Sequence, residues 1–369
     1  MGYSDGEKLD IFLDYLGIPA QKRERLTAKY AEEELVSLLK SESAKLAPFL
    51  GAQAAELRKA KSGFAEYLRG LDARGIFAVT RRSPAYPANL LEISSPPFVL
   101  YGIGDLSLLA TRRLAIVGRR ACRRKSLEMT ERFAGELAAA GLTVVSGLAD
   151  GCDAAAHRGA LAAGGKTIAV LAGGFDHVYP QSNLGLFREI CRTGLVLSEN
   201  PPAYRAQRHD FLLRNRIVSG ISEGVLVTCA AERSGTLSTA NAALEAGREL
   251  FAIPGDIDAE DCVGTNRLIK ELQGALVTCP EDILFALGME SRKKPPSLPE
   301  EPPGEDENSI LRVLRDGELH INEIAAALGM EYAGLSALLS VMEIKGQIER
   351  LPGNAYRVKI WKTGKDRRE

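Results

Sequence analysis

The sequence lacks the features that define several classes of protein. Its longest apolar runs, such as residues 168–172, are far shorter than the ~20 apolar residues of a membrane-spanning helix. The N-terminus is polar and acidic, unlike a secretory signal peptide. The six cysteines and four histidines are scattered and include no CxxC pair, so their spacing predicts neither a zinc site nor a disulfide framework. These absences favour a cytoplasmic protein and give no sign of a membrane anchor, metal or cofactor.

An excess of one charge is also missing. The 47 lysines and arginines nearly balance the 48 aspartates and glutamates, so the formal net charge is −1. Binding to a polyanion must therefore depend on local clusters of basic side chains. Apolar residues make up 45% of the chain and charged residues 26%, which is typical of folded globular proteins. The 369 residues are enough for two or three domains.

The periodicity of apolar residues changes along the chain. Apolar positions at helical spacing predict a small helical domain over residues 1–75. Prolines between residues 84 and 97 exclude long helices, so residues 76–108 are expected to be a connecting stretch. From residue 113 to about 288, short apolar strands alternate with alanine-rich helices. That alternation predicts an α/β core with a mainly parallel sheet covered on both faces.

The C-terminal part predicts a second, smaller folded unit. Residues 289–308 combine five prolines with many charged residues, which is typical of a linker. Residues 309–360 predict three helices followed by a hairpin, the arrangement of a winged helix. The third of these helices holds two acids and one basic residue, a poor composition for reading duplex DNA, so an auxiliary or protein-interaction role is expected. Residues 361–369 form a basic tail.

Glycines cluster just after the predicted strand ends, where open α/β sheets bind their ligands. The first strand ends in Gly118-Arg119-Arg120, and residues 112–125 hold seven basic residues and no acid. A glycine lets backbone approach a ligand closely, and arginine binds phosphate through paired hydrogen bonds. The alternative is a solvated basic loop. The position after a core strand favours a phosphate site.

Two further turns are also candidate phosphate sites. Ser146-Gly147 follows the second strand, and Ser234-Gly235 precedes an alanine-rich helix whose free amides attract anions. An ordinary helix cap explains Ser234-Gly235 equally well. His157 has no nucleophile with an evident partner nearby in the sequence, so it is expected to be a structural, hydrogen-bonded histidine.

Residues 208–217 carry the strongest signal for nucleic acid. They include three arginines, a phenylalanine and an asparagine, namely Arg208, Phe211, Arg214, Asn215 and Arg216. Arginines bind phosphates and an aromatic ring stacks on a base, a combination that holds single-stranded nucleic acid. The alternative is that some of the arginines pair with Glu199 or neighbouring carboxylates and hold the crevice together. On a strand Arg214 and Arg216 share one side, whereas on a helix they diverge.

In order and spacing these motifs resemble the DprA family, also called Smf, over roughly residues 80–280. The resemblance implies an extended Rossmann-like domain over residues 76–288, preceded by a helical domain similar to SAM domains and followed by a winged helix. It also implies a non-enzymatic protein that binds and protects single-stranded DNA and forms a homodimer. Such proteins help to load the RecA recombinase during natural transformation.

The resemblance also assigns residues to a DNA pocket, namely Arg120, Arg208, Phe211, Arg214, Asn215 and Arg216. It places the Gly118 and Gly235 turns close to the pocket and makes Arg248 a further candidate for contacting phosphate. This chain has Arg119 where the family usually has serine, and Cys152 where an apolar residue is usual. It has Thr228-Cys229-Ala230 where the family usually has Val-Glu-Ala.

The alternative function is that of a nucleotide-processing enzyme on a related Rossmann fold, such as a phosphoribohydrolase. Those enzymes share glycine-rich turns and usually carry a Pro-Gly-Gly-x-Gly-Thr-x-x-Glu stretch. Residues 234–238, Ser-Gly-Thr-Leu-Ser, lack the double glycine and the glutamate. The sequence therefore favours the DNA-binding protein.

Overall fold

Four helices built from the apolar-periodic segments of the N-terminal region come first in the computed structural model, which describes residues 2–41, 44–46, 49, 57–289, 304–345 and 347–358. They are α1 (Asp5–Tyr15), α2 (Ala20–Lys29), α3 (Glu32–Lys40) and α4 (Leu57–Ala73). Leu13, Leu26 and Leu35 are buried between them. The Tyr101 hydroxyl donates to Asp14 at 2.7 Å, which ties this helical region to the sheet that follows.

Short apolar segments form a nine-stranded sheet within the described residues. Its strands are β1 (Phe77–Thr80), β2 (Val99–Gly104), β3 (Arg113–Gly118), β4 (Thr143–Ser146), β5 (Thr167–Leu171), β6 (Leu195–Ser198), β7 (Gly224–Cys229), β8 (Glu249–Ala252) and β9 (Ala275–Leu276). Their order is β1-β2-β6-β5-β4-β3-β7-β8-β9. All neighbours from β6 to β9 run parallel. The expected mainly parallel sheet is confirmed.

Strands β1 and β2 correct the expectation of a mere connecting stretch over residues 76–108. The prolines exclude long helices there, and only short 3-10 turns form, but the prolines lie between the two strands rather than within them. The strands are therefore free to pair, and they do so antiparallel, with Phe77 opposite Gly102. β2 then extends the sheet by pairing antiparallel with β6.

Helices cover both faces of the sheet. They are α5 (Arg124–Ala139), α6 (Cys152–Ala162), α7 (Leu184–Thr193), α8 (Asp210–Gly220), α9 (Thr236–Glu245), α10 (Val263–Lys270) and α11 (Pro280–Ala286). Side chains alternate along β3, so Ala115 packs in a core with Ile217 of α8, whereas Leu114 packs in a separate core with Phe133 of α5. This double coverage is what the continuous apolar runs of the strands predict.

The chain divides into two compact units, residues 1–292 and 293–369. The second contains α12 (Glu305–Val313), β10 (Leu319–His320), α13 (Ile321–Leu328), α14 (Tyr332–Ile344), β11 (Ile348–Leu351) and β12 (Ala355–Val358). The expected three helices and hairpin are present, and β10 adds a short third strand beside β12. Residues 290–303 of the expected linker and the basic tail, 361–369, lie outside the described residues.

By length and composition, none of the described helices taken singly is long and apolar enough to cross a membrane. The bent pair Ile321–Leu328 and Tyr332–Glu343 passes that test together.

Candidate functional site

A cavity of about 680 Å³ opens at the carboxyl edge of the parallel strands. The chain order reverses between β3 and β7, and the loops that follow these two strands form opposite walls of the cavity. A crevice at such a reversal is the usual ligand site of open α/β sheets. It is also the edge at which the glycine spacing predicts a ligand.

A second cavity of about 790 Å³ adjoins the first. Both are lined by Arg120, Phe211, Leu212 and Gly235, so the two cavities form one continuous depression, which we call the groove. The groove runs from the loops after β3 and β7 to the segment around Tyr179. The structure thus brings together residues that are more than a hundred positions apart in the chain.

Aromatic rings and an arginine meet at the centre of the groove. The Arg120 guanidinium carbon lies 5.1 Å from the centre of the Phe211 ring. The Tyr179 ring stands edge-on to Phe211, with 5.8 Å between ring centres, and 60% of Tyr179 is exposed. The groove therefore presents an exposed ring beside a guanidinium group, the two surfaces that stack on bases and bind phosphate.

Four arginines around the groove are exposed and have no hydrogen-bond or ion-pair partner within the described part of the chain: Arg120, Arg205, Arg208 and Arg233. The second cavity, where Arg120, Arg205 and Arg208 converge, includes no acid in its described lining. The first cavity includes Asp153, Glu232 and Glu260. Positive charge is thus concentrated at the Tyr179 end of the groove.

Arg214 lines the groove from beneath, yet its side chain is buried and only 6% of the residue is exposed. Its Nη1 donates to the carbonyl oxygen of Gly147 at 2.6 Å and to that of Val170, so it joins α8 to the ends of β4 and β5. A side chain on Gly147 would overlap the guanidinium group, with a Cβ only 2.4 Å from Arg214 Nη1. Glycine is therefore required at position 147 for this arginine to reach the strand ends.

Residues 210–220 form a helix, so Arg214 and Arg216 diverge. Arg216 donates to both carboxylate oxygens of Glu199, at 2.7 and 2.6 Å. This is the pairing with Glu199 that the sequence left open as an alternative, and Arg216 is not among the described lining residues of the groove. Asn215 does line the groove, and its Nδ2 donates to Ser238 at the start of α9.

Some residues of the predicted phosphate turns also line the groove, whereas others bond to groups of the protein. Gly118, Arg119, Ser234 and Gly235 line the first cavity, but the Arg119 guanidinium donates to Glu260 at 2.9 Å. The Ser234 hydroxyl accepts from the Thr236 amide and so stabilises the turn that leads into α9. Ser146 is fully buried and donates to the carbonyl of Ile116 in β3, so it joins two strands rather than facing the groove.

Arg248 lies at the opposite edge of the sheet from the groove. It immediately precedes β8, and the amino end of a parallel strand is remote from the carboxyl edge. Its guanidinium pairs with Glu92 at 2.8 Å and donates to the carbonyl of Asn89. The structure therefore separates Arg248 from the other candidate residues, a correction that follows from the strand direction.

Two buried ionisable groups lie beneath the groove. Burial raises the pKa of Asp153 to about 6, against the opposing effect of the nearby Arg214 charge. Burial and the Arg214 charge lower the pKa of His157 to about 3. The Thr167 hydroxyl donates to the carbonyl of Val144, so His157 Nδ1 is the donor in its 2.6 Å contact with Thr167. His157 is thus a neutral, buried, hydrogen-bonded histidine, as the sequence predicts.

Sequence reasoning missed Tyr179, Arg205 and Arg233 as groove residues. Arg233 stands directly before the predicted Ser234-Gly235 turn, and Arg205 lies three residues before the arginine-rich segment, so charge clustering offered a weak signal for both. Tyr179 comes from the loop after β5 and reaches Phe211 only through the fold.

Comparison with known families shows to which family the chain belongs. The model of a family described as DNA recombination-mediator protein A matches residues 77–288, and the model of the DprA winged helix domain matches residues 294–354. The chain belongs to the DprA family. DNA processing protein DprA of Bacillus subtilis (strain 168) is 42% identical to this DprA-family chain over 216 residues, which are 58% of this chain and 72% of that protein.

Two solved DprA structures are similar to this one. The X-ray structure of DprA from Streptococcus pneumoniae has a TM-score of 0.68 and 32% identity, covering 79% of this chain and all of that one. The structure of DNA processing protein A from Helicobacter pylori has a TM-score of 0.53 and 31% identity, covering 57% of this chain and 95% of that one. The H. pylori study concerns that protein's single-stranded DNA binding mode. These likenesses agree with an extended Rossmann-like core in this DprA-family chain.

Proposed function

We propose that the groove binds single-stranded DNA and that the protein acts in DNA processing during transformation. The observation that carries the proposal is the meeting of Arg120, Phe211 and Tyr179 at the centre of a groove edged by exposed arginines. Exposed guanidinium groups without acidic partners attract phosphates, and an exposed ring stacks on an unpaired base. The H. pylori relative, whose single-stranded DNA binding mode has been studied, supports the same ligand class.

The arrangement favours a single strand over a duplex. In a duplex the bases are stacked on each other, so Phe211 and Tyr179 reach a base face only where the bases are unpaired. Arg120, Arg205 and Arg208 line the same cavity as these rings, so phosphates and bases of one flexible strand can be bound together. We therefore expect tighter binding of a single-stranded oligothymidylate than of a duplex of equal length.

The direct test is charge reversal at Arg120, measured by fluorescence anisotropy with labelled oligothymidylate between roughly 50 and 300 mM salt. We expect Arg120→Glu to weaken binding by at least about tenfold and to reduce the slope of log affinity against log salt by about 0.7 or more. Arg192→Glu is the matched control, because Arg192 is exposed in the last turn of α7, at the opposite edge of the sheet. Equal affinity of the Arg120→Glu protein and the parent contradicts the proposal.

We further propose that the protein is a non-enzymatic mediator, which protects the bound strand and helps to load RecA as a homodimer. The support is membership of a family described as recombination mediators, together with the side-chain pairing around the cavity. Two of the three carboxylates that line the first cavity are engaged, since Glu260 is paired with Arg119 and Asp153 is buried near the Arg214 charge.

Two measurements test this second proposal. RecA should assemble faster on single-stranded DNA when the protein is present, and Arg120→Glu should abolish that gain. Light scattering on the purified chain should give twice the monomer mass. Release of free base from nucleoside monophosphates would instead favour the phosphoribohydrolase alternative.

A further inference from the structure

Three cysteines from distant parts of the sequence converge beside the groove. Cys122 follows the Arg119-Arg120 turn, Cys152 is the first residue of α6, and Cys229 is the last residue of β7. The Cys152 sulfur lies 3.7 Å from that of Cys122 and 3.4 Å from that of Cys229. All three sulfurs are within 4.8 Å of one another. Cys152 and Cys229 are buried, whereas Cys122 is partly exposed.

These distances match the spacing of thiolates around one metal ion. A Zn–S bond of about 2.3 Å places two sulfurs of a tetrahedral site about 3.8 Å apart. The two measured separations, 3.7 and 3.4 Å, lie within a few tenths of an ångström of that value. A disulfide requires the sulfurs to approach to about 2.05 Å and uses only two of the three. A metal ion can engage all three with small movements.

The backbone is arranged to let the sulfurs meet. Gly118 has no side chain, and a Cβ there would lie 2.6 Å from the Cys152 sulfur and 2.7 Å from the Thr228 hydroxyl. Any larger residue at position 118 would therefore displace the cluster. The partly exposed Cys122 is next to Ala121, which lines the first cavity, so an ion has a route from solvent.

The backbone favours negative charge at one of the three sulfurs. Cys152 begins a helix, whose N-terminal end favours a thiolate. A thiolate at this position is compatible with the neighbouring loop, which carries Arg119 and Arg120.

We propose that Cys122, Cys152 and Cys229 form a binding site for a thiophilic metal ion of the Zn²⁺ class. Three sulfur ligands and one position open to solvent or to the Thr228 hydroxyl complete a tetrahedral set. Binding displaces the protons of the thiols to solvent, so affinity rises with pH. The ion would fix the loop that bears Arg119 and Arg120 to the ends of α6 and β7. This inference is independent of the proposed function, since the ion binds whether or not DNA does.

The test is titration of the reduced full-length chain with Zn²⁺ alone, followed by Co²⁺ as a spectroscopic probe. We expect one ion per chain and a sulfur-to-cobalt charge-transfer band in the near ultraviolet. Cys122→Ser should weaken Zn²⁺ binding by about 100-fold and remove most of that band. Cys279→Ser is the control, because Cys279 lies outside the cluster and serine preserves the cap it provides for α11.

A second measurement needs no variant and so does not depend on the folding of a mutant. Zn²⁺ should protect Cys122, the partly exposed member of the cluster, from alkylation in the parent chain, and mass spectrometry should find the protection at that position. Binding that is unchanged in Cys122→Ser overturns the proposal. The proposal is also overturned if the chain takes up no Zn²⁺ and two of the three thiols are lost under mild oxidation and recovered by reduction. That result would assign the cluster to a disulfide.

Discussion

Two sets of arginines lie within the same α/β unit, and they differ in what surrounds them. Arg120 and Arg208 are exposed at the groove and have no charged partner among the described residues. Arg214 and Arg216 come from the same helix as Phe211, yet one is bonded to strand-end carbonyls and the other to Glu199. Arginine thus occurs in two different environments within one unit.

The difference shows how burial divides an arginine-rich segment. A buried guanidinium group must have its donors satisfied, so Arg214 bonds to protein groups and holds the walls of the groove in place. An exposed guanidinium group keeps its donors free for phosphate. Substitution of the buried set should therefore affect the free energy of unfolding, and substitution of the exposed set should affect affinity.

The largest effect is expected for Arg214→Ala. The change leaves the carbonyls of Gly147 and Val170 without this donor and Asp153 without its nearest buried cation, so the free energy of unfolding should fall by about 3 kcal/mol or more. Urea denaturation measures it. Arg208→Ala, at an exposed position, should change it by less than about 0.5 kcal/mol. Equal stability of the two variants would remove the distinction between the sets.

The pH dependence of stability tests the charges buried beneath the groove. The pKa of Asp153 is raised to about 6 in the folded state, so its contribution is present below about pH 4 and is lost as pH rises through 6. The pKa of His157 is lowered to about 3, so its contribution is present above about pH 6.5 and is lost as pH falls toward 3. Between pH 4 and 6, therefore, the Asp153 contribution to stability decreases with rising pH and the His157 contribution increases.

His157→Gln removes the contribution of His157 to the pH dependence of stability. In that variant, stability measured by urea denaturation should fall as pH rises from about 4 to 6, more steeply than in the parent. Glutamine can still donate to Thr167, so the variant retains the hydrogen bond of His157. A curve parallel to that of the parent would contradict the assignment of these two buried groups.

Phe211→Ala separates the contribution of base stacking from the contribution of charge to binding in the groove. Loss of one stacked base costs about 1–3 kcal/mol, so affinity for oligothymidylate should fall by about tenfold or more. The salt slope should stay that of the parent, because no cation is removed. Phe211→Tyr keeps an aromatic ring and should bind almost as well as the parent. A changed salt slope for Phe211→Ala would mean that the ring acts mainly by positioning Arg120.

The smallest effect on binding is expected for Arg248→Ala. Arg248 lies at the far edge of the sheet, so affinity for single strands should stay within about twofold of the parent. The free energy of unfolding should fall by about 1 kcal/mol, since the carbonyl of Asn89 loses a donor. A large loss of affinity would indicate a second DNA-contacting surface at that edge.

Particular residues show how far sequence reasoning reached. The strands from β3 to β8 were predictable because each is a short apolar run with a turn after it, and a parallel strand buried on both faces needs that pattern. The prolines between residues 84 and 97 concealed β1 and β2, whose pairing depends on contact with each other and with β6. The arginine-rich segment was found and Glu199 was named as a possible partner, but the sequence did not show that Arg216 is the arginine that pairs with it or that Arg214 is buried.

The sequence by itself determined most of the strands and helices, with β1 and β2 as exceptions, and which segments carry arginine, phenylalanine and cysteine, because these follow from composition and local periodicity. The tertiary structure alone decided which arginines are exposed, that Tyr179 lies against Phe211, and that three scattered cysteines lie within one ion's reach. The physical reason is that exposure and contact depend on the order and direction of strands that are far apart in the chain.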